Sequence, residues 1–157
     1  MEFLEKIKEI ITNFTINKIT LAFAESCTGG YISNMLTNIS GASKVFELGI
    51  VCYSNLSKTN LLNVDPDDIV KHGAVSEIVA KQLANNIRVL SKVTIGIGIT
   101  GIAGPTGGTF EKPVGLVYIG FSTLKETIVE KHQFNVGRIT FKGKVFDQVL
   151  SLLQNVS

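Results

Sequence analysis

The stretch Lys18-Ile19-Thr20-Leu21-Ala22-Phe23-Ala24-Glu25-Ser26-Cys27-Thr28-Gly29-Gly30 sets the architecture of this chain. Residues 18–24 form a short apolar run, which predicts a buried strand. From Thr28 onward the apolar spacing becomes helical, through Ile32, Met35, Leu36 and Ile39, and Ser40-Gly41-Ala42-Ser43 closes that helix. A strand that passes through a glycine-rich turn straight into a helix is the opening unit of an α/β fold.

The rest of the chain repeats the alternation. Upstream, Phe3, Ile7, Ile10, Ile11 and Phe14 mark an amphipathic helix over residues 2–15. Downstream, residues 45–53 predict a second strand and 56–62 a short helix. Asp65-Pro66-Asp67-Asp68 reads as a helix start, with proline tolerated early and acids favoured in the first turn. Ser76-Glu77 caps a further helix through Val79, Leu83, Ile87 and Leu90. Residues 93–100 predict a strand and 101–113 a loop rich in glycine and proline. Residues 114–122 and 127–134 predict an antiparallel hairpin. A last helix runs from Thr140, with Phe141, Val145, Val149 and Leu152 or Leu153 on one face. The expected fold is a single three-layer α/β/α domain over residues 1–157. Its sheet is mixed and mostly parallel, and it ends in a hairpin plus helix.

Composition agrees with one globular domain. At 157 residues the chain buries roughly two-thirds of its unfolded surface, enough to fold without a disulfide or metal staple. Apolar residues make up 45% and charged residues 18%, which excludes a disordered chain. A net charge of +2 with no basic run gives no nucleic-acid footprint. No apolar stretch approaches the ~20 residues of a membrane span, and the charged start leaves no room for a signal sequence. Cys27 and Cys52 have no metal spacing and read as buried reduced thiols, so a cytoplasmic protein is expected.

Three stretches have the residue types for chemistry. In Glu25-Ser26-Cys27-Thr28-Gly29-Gly30, Ser26 follows a strand and opens a helix, where free N–H groups can support an oxyanion. Read locally, the stretch favours Ser26 or Thr28 as a plain helix cap. In Tyr53-Ser54-Asn55-Leu56-Ser57-Lys58, Lys58 sits just beyond a strand end. His72 and His132 fit no triad pattern, and a desolvated lysine can replace histidine as a base. A solvated surface lysine is the ordinary alternative. The third stretch is the loop from Thr100, with Gly101, Gly104, Gly107 and Gly108. Such a loop can turn N–H groups toward a phosphate, and Lys112 or Arg138 could add charge; it equally suits a plain connection.

Taken together, these stretches resemble the CinA C-terminal domain family. The matching residues are Ala24-Glu25-Ser26-Cys27-Thr28-Gly29-Gly30, then Val51-Cys52-Tyr53-Ser54-Asn55 with Lys58. His72-Gly73-Ala74-Val75-Ser76, Thr100-Gly101-Ile102-Ala103-Gly104-Pro105, Gly107-Gly108-Thr109 and Glu111-Lys112-Pro113-Val114-Gly115 complete the set. The stand-alone form of that family is a nicotinamide-nucleotide amidase. The resemblance therefore implies hydrolysis of nicotinamide mononucleotide to nicotinate mononucleotide and ammonia, with no metal or organic cofactor. It implies a Ser26–Lys58 pair, with Tyr53 and Thr100 in support and Arg138 facing the ligand. Where the family has Gly-Asp before that arginine and a second arginine four residues on, this chain has Val136-Gly137 and Lys142. Lysine lacks arginine's bidentate fork.

The catalytic candidates are thus Ser26, Lys58, Tyr53 and Thr100. The substrate-binding candidates are Glu25, Thr28, Gly29, Gly101, Gly104, Gly107, Gly108, Lys112 and Arg138. The oxyanion is expected on N–H groups around Thr28-Gly29 or Gly101. The expected partner is a small nucleotide substrate, with no nucleic acid or membrane, and a homo-oligomer such as a dimer is anticipated. The molybdopterin-binding-like domain that many relatives add is expected to be missing, leaving the amidase module alone. The competing readings are a nucleotide-sensing module without turnover and an amidase for a related nucleotide amide.

Overall fold

A computed structural model describes residues 2–156; Met1 and Ser157, the ends of the expected domain, lie outside the described residues. Among the described residues twelve elements follow one another. Helix α1 (Glu2–Asn17) leads into strand β1 (Leu21–Glu25) and helix α2 (Tyr31–Thr37). A single 3-10 turn at Ala42–Lys44 precedes strand β2 (Phe46–Val51). Helices α3 (Asn55–Leu62), α4 (Pro66–His72) and α5 (Glu77–Ser91) come next. Strands β3 (Ile95–Gly101), β4 (Leu116–Ser122) and β5 (Thr127–Gln133) and helix α6 (Arg138–Gln154) complete the fold.

The strands form one sheet in the order β2-β1-β3-β4-β5. β1 pairs parallel with both β2 and β3, whereas β3–β4 and β4–β5 are antiparallel. β5 therefore runs in the direction of the first three strands, and β4 alone is reversed. The α/β reading with a mixed, mostly parallel sheet and a terminal hairpin plus helix is the architecture observed.

Strand alternation builds the two cores. Leu21 and Phe23 of β1, with Ile95, Ile97 and Ile99 of β3, face α1, α2 and α6. Ala22 and Ala24 face the other way, toward Leu62 of α3, Ile69 of α4 and Val79, Leu83 and Ile87 of α5. On that second face β3 and β4 carry glycine. A Cβ at Gly96 would lie 2.2 Å from Ala84 O, one at Gly98 2.4 Å from Ala84 N, and one at Gly120 2.4 Å from Ala80 O. Helix α5 thus rests its backbone on a strip with no side chains, which sets the spacing of that layer.

The expected helix starts hold: Asp65 accepts from Asp67 N, and Ser76 from Val79 N. Several boundaries move, and those around β1 have clear causes. Helix α1 runs to Asn17 and stops because Lys18 takes a left-handed conformation (φ 55°), so the strand begins later than residue 18. Helix α2 begins at Tyr31 rather than Thr28, because Gly29 and Gly30 hold positive φ and keep the turn open.

Candidate active site

The carboxyl ends of the three parallel strands bring the catalytic candidates together. In open α/β sheets this edge is where ligands bind. Ser26 follows β1, Tyr53 follows β2 and leads into α3, and Thr100 and Gly101 close β3. They share a cavity of about 260 Å³, which Ala74, Val75 and Arg138 also line.

Lys58 is the decisive side chain. It lies on the buried face of α3 with Leu62, and only 1% of it is exposed. Its Nζ is 3.0 Å from Ser26 Oγ and donates to Cys52 O at 2.8 Å and Tyr53 O at 3.1 Å. Burial pushes its pKa below the ordinary lysine value, because the ammonium loses hydration; the thiols of Cys52 and Cys27 pull weakly the other way. In the neutral amine, two N–H bonds can stay on the two carbonyls, which leaves the lone pair for the Ser26 hydroxyl. The neighbouring thiols are unsuited to nucleophilic work. Burial pushes Cys27 up to about 12 and raises Cys52 as well.

The supporting residues line the same cavity. Tyr53 is largely exposed, and its hydroxyl accepts from Arg138 Nη2 at 3.1 Å. Arg138 Nη1 donates to Gly104 O at 2.8 Å, so this guanidinium joins the mouth of the β2–α3 turn to the glycine-rich loop. Thr100, 1% exposed, donates through Oγ1 to Ala74 O at 2.8 Å. That bond fixes the cavity wall rather than Lys58. Gly101, Gly104 and Gly107 line the cavity.

Five candidates lie elsewhere. Glu25 is fully buried, and its carboxylate accepts from Thr28 Oγ1, Gly30 N, Ile32 N, Ser33 N and Ser33 Oγ. It is the cap of α2 supplied from β1, and with both oxygens occupied it has no face for substrate. Thr28 is likewise buried and committed to Glu25. Gly29 donates its N–H to Ser26 O at 3.0 Å, which removes it from the expected oxyanion donors. Gly108 packs on the return of its own loop, where a Cβ would meet Val114 N at 2.6 Å. Lys112 is not among the residues that line the cavity, and its Nζ donates to His72 O.

Sequence reading missed Cys52 O and Tyr53 O, because a carbonyl role leaves no side-chain signature. It also passed over Asn55, Ile102, Ala103 and Thr106, which line the cavity. Among the described residues no group of three or more His, Cys, Asp or Glu is placed to hold a metal. Among the described residues no helix is long and apolar enough to cross a membrane.

The sequence model of the CinA C-terminal domain matches residues 4–157. The chain belongs to the CinA C-terminal domain family. A "CinA-like protein" of Acidobacterium capsulatum is 46% identical over 151 residues, which is 96% of this chain and 36% of that protein. A Thermoanaerobacter sp. (strain X514) relative is 45% identical over 151 residues, 96% of this chain and 37% of its own length. The chain thus spans little more than a third of these curated CinA relatives. The crystal structure of competence/damage inducible protein CihA from Agrobacterium tumefaciens superposes with a TM-score of 0.93 at 35% identity, covering 98% of this chain and 94% of that one. The five-stranded α/β frame is therefore the CinA domain frame.

Proposed function

We propose that this CinA domain is an amidohydrolase that converts nicotinamide mononucleotide to nicotinate mononucleotide and ammonia. The observation that carries the reading is the buried Lys58 amine 3.0 Å from the Ser26 hydroxyl, with two carbonyls as its other partners. A pure binding site has no need to bury a lysine against a serine, since burial of a cation is costly.

In the proposed reaction, neutral Lys58 takes the Ser26 proton as Oγ attacks the carboxamide carbon. The tetrahedral oxyanion is received by backbone N–H groups at the cavity, with Cys27 and Gly101 the lining candidates once Gly29 is committed. The Lys58 ammonium then protonates the departing nitrogen, and ammonia leaves an acyl ester on Ser26. Water attacks that ester with Lys58 again the base, which frees the carboxylate and restores the serine. Arg138 is the cation in the cavity lining suited to the nucleotide's phosphate, and among the described residues no carboxylate lines the cavity to repel it.

The test is ammonia release from nicotinamide mononucleotide by the parent, Ser26→Ala and Lys58→Ala proteins. Both variants are expected to lose about 10³-fold or more in kcat, as units of one nucleophilic device do. Tight nucleotide binding without ammonia from the parent would leave a sensing module instead. Full activity in Ser26→Ala would remove the nucleophile.

A further inference from the structure

Two stretches that the catalytic pair does not use, His72-Gly73-Ala74-Val75-Ser76 and Glu111-Lys112-Pro113-Val114-Gly115, meet in the fold. Lys112 Nζ donates to the carbonyl of His72, the last residue of α4. A Cβ on Gly73 would sit 2.6 Å from that Nζ, so the ammonium lies directly over residue 73 and glycine there leaves the room. The next two carbonyls are held as well. Gly73 O accepts from Ser76 Oγ at 2.9 Å, and Ala74 O accepts from Thr100 Oγ1 at 2.8 Å. Three consecutive carbonyls are thus gripped from the glycine-rich loop, from the start of α5 and from the end of β3.

The grip bears on the cavity. Ala74 and Val75 form one part of its wall, and Ile102 to Gly104 with Thr106 and Gly107 form another. The loop is exposed from Pro105 to Glu111. Its tip closes on itself, with Thr109 N donating to Lys112 O at 2.8 Å and Lys112 N to Thr109 Oγ1 at 3.0 Å. An exposed turn held by local bonds opens easily. The Lys112 side chain ties that tip to a helix end, where a cation also complements the helix dipole.

We propose that Lys112 is a positioning residue: a latch that joins the tip of the glycine-rich loop to the end of α4, sets the spacing of two parts of the substrate cavity, and makes no contact with the substrate's phosphate. The kinetic half of the test rests on the amidase reading; the exchange half does not.

The test compares the parent with Lys112→Met and Lys112→Arg, the first keeping the aliphatic stem and the second keeping a donor. In hydrogen exchange read by mass spectrometry, Lys112→Met is expected to exchange about 10-fold faster in peptides covering 70–76 and 101–113 and unchanged elsewhere. Lys112→Arg is expected to regain most of the protection. In kinetics, Lys112→Met should raise KM about 10-fold with kcat nearly held, because the Ser26–Lys58 pair is untouched. The rise should be equal for nicotinamide mononucleotide and for the nucleoside lacking phosphate. Unchanged exchange in Lys112→Met overturns the latch, and so does a KM rise confined to the phosphorylated substrate, which would make Lys112 a phosphate ligand. If the parent turns over neither substrate, the amidase reading fails while the exchange result still decides the latch.

Discussion

Replacing Glu25 with glutamine should destabilise the protein substantially although the side chain hardly changes shape. The carboxylate accepts five hydrogen bonds at 2.6–3.1 Å in a site with no solvent exposure. The amide can keep only one oxygen. Its best orientation leaves that oxygen with Thr28, Gly30 and Ile32 and turns the NH₂ toward Ser33. The Ser33 hydroxyl can rotate to accept, but the Ser33 N–H then faces another donor. One buried unpaired donor costs about 1–3 kcal/mol, and three bonds lose their charge assistance, worth about 1 kcal/mol each. Relief from burying a charge offsets part of this, so a net loss of about 3 kcal/mol is expected. For a domain this size that is a fall of about 6–12 °C in Tm. Urea unfolding at neutral pH, with fitted m-values, measures it. The same variant should lose kcat, since Glu25 holds the turn that carries Ser26, and its carbonyl accepts from Cys52 N, whose own carbonyl holds Lys58. A Glu25→Gln protein within about 0.5 kcal/mol of the parent would refute the clamp and return Glu25 to the substrate-facing candidates.

The remaining predictions concern charge, access and packing. Lys58 has a folded pKa below its ordinary 10.5, so between the two values the unfolded chain holds a proton that the folded one lacks. Its contribution to stability therefore rises with pH through that window and is lost as pH falls through the folded value. Lys58→Met should flatten this slope in urea midpoints measured from neutral pH upward; equal slopes would show an unshifted lysine. On the same basis the acid limb of kcat/KM for amide hydrolysis should climb with pH through the lowered Lys58 value, and an acid limb at the ordinary lysine position would contradict a neutral base. Cys27, at about 12 and 6% exposed, should resist iodoacetamide at about pH 8 until the protein unfolds, as buried thiols do; rapid alkylation in the folded state would count against its burial. Gly98→Ala places a methyl 2.4 Å from Ala84 N and should cost about 3 kcal/mol by denaturant titration, whereas a neutral result would mean that α5 can lift from the sheet.

How much of this was legible in the sequence depends on whether a role follows from chain direction or from side-chain aim. Ser26, Tyr53 and Thr100 sit at strand ends, and parallel strands carry their carboxyl ends to one edge, so reading the strands was enough to group them. Glu25 and Lys112 stand apart from that group for the opposite reason. Both stand beside the right segments, but Glu25 points back under the next helix and Lys112 across to α4, and neither direction is encoded by neighbourhood along the chain. Lys58 falls between the two cases. Read alone it is a lysine on a short helix, ordinarily solvated. Yet Leu62 stands four residues on, and side chains at i and i+4 share a helix face. Leu62 is 1% exposed, so the face that seats it must also take Lys58 inside. The apolar residues of α3 do not single out that face, since Leu56 and Leu61 are exposed; the structure shows that it also holds a lysine with depressed basicity, and the Ser26 hydroxyl at 3.0 Å is what makes that depression chemically useful.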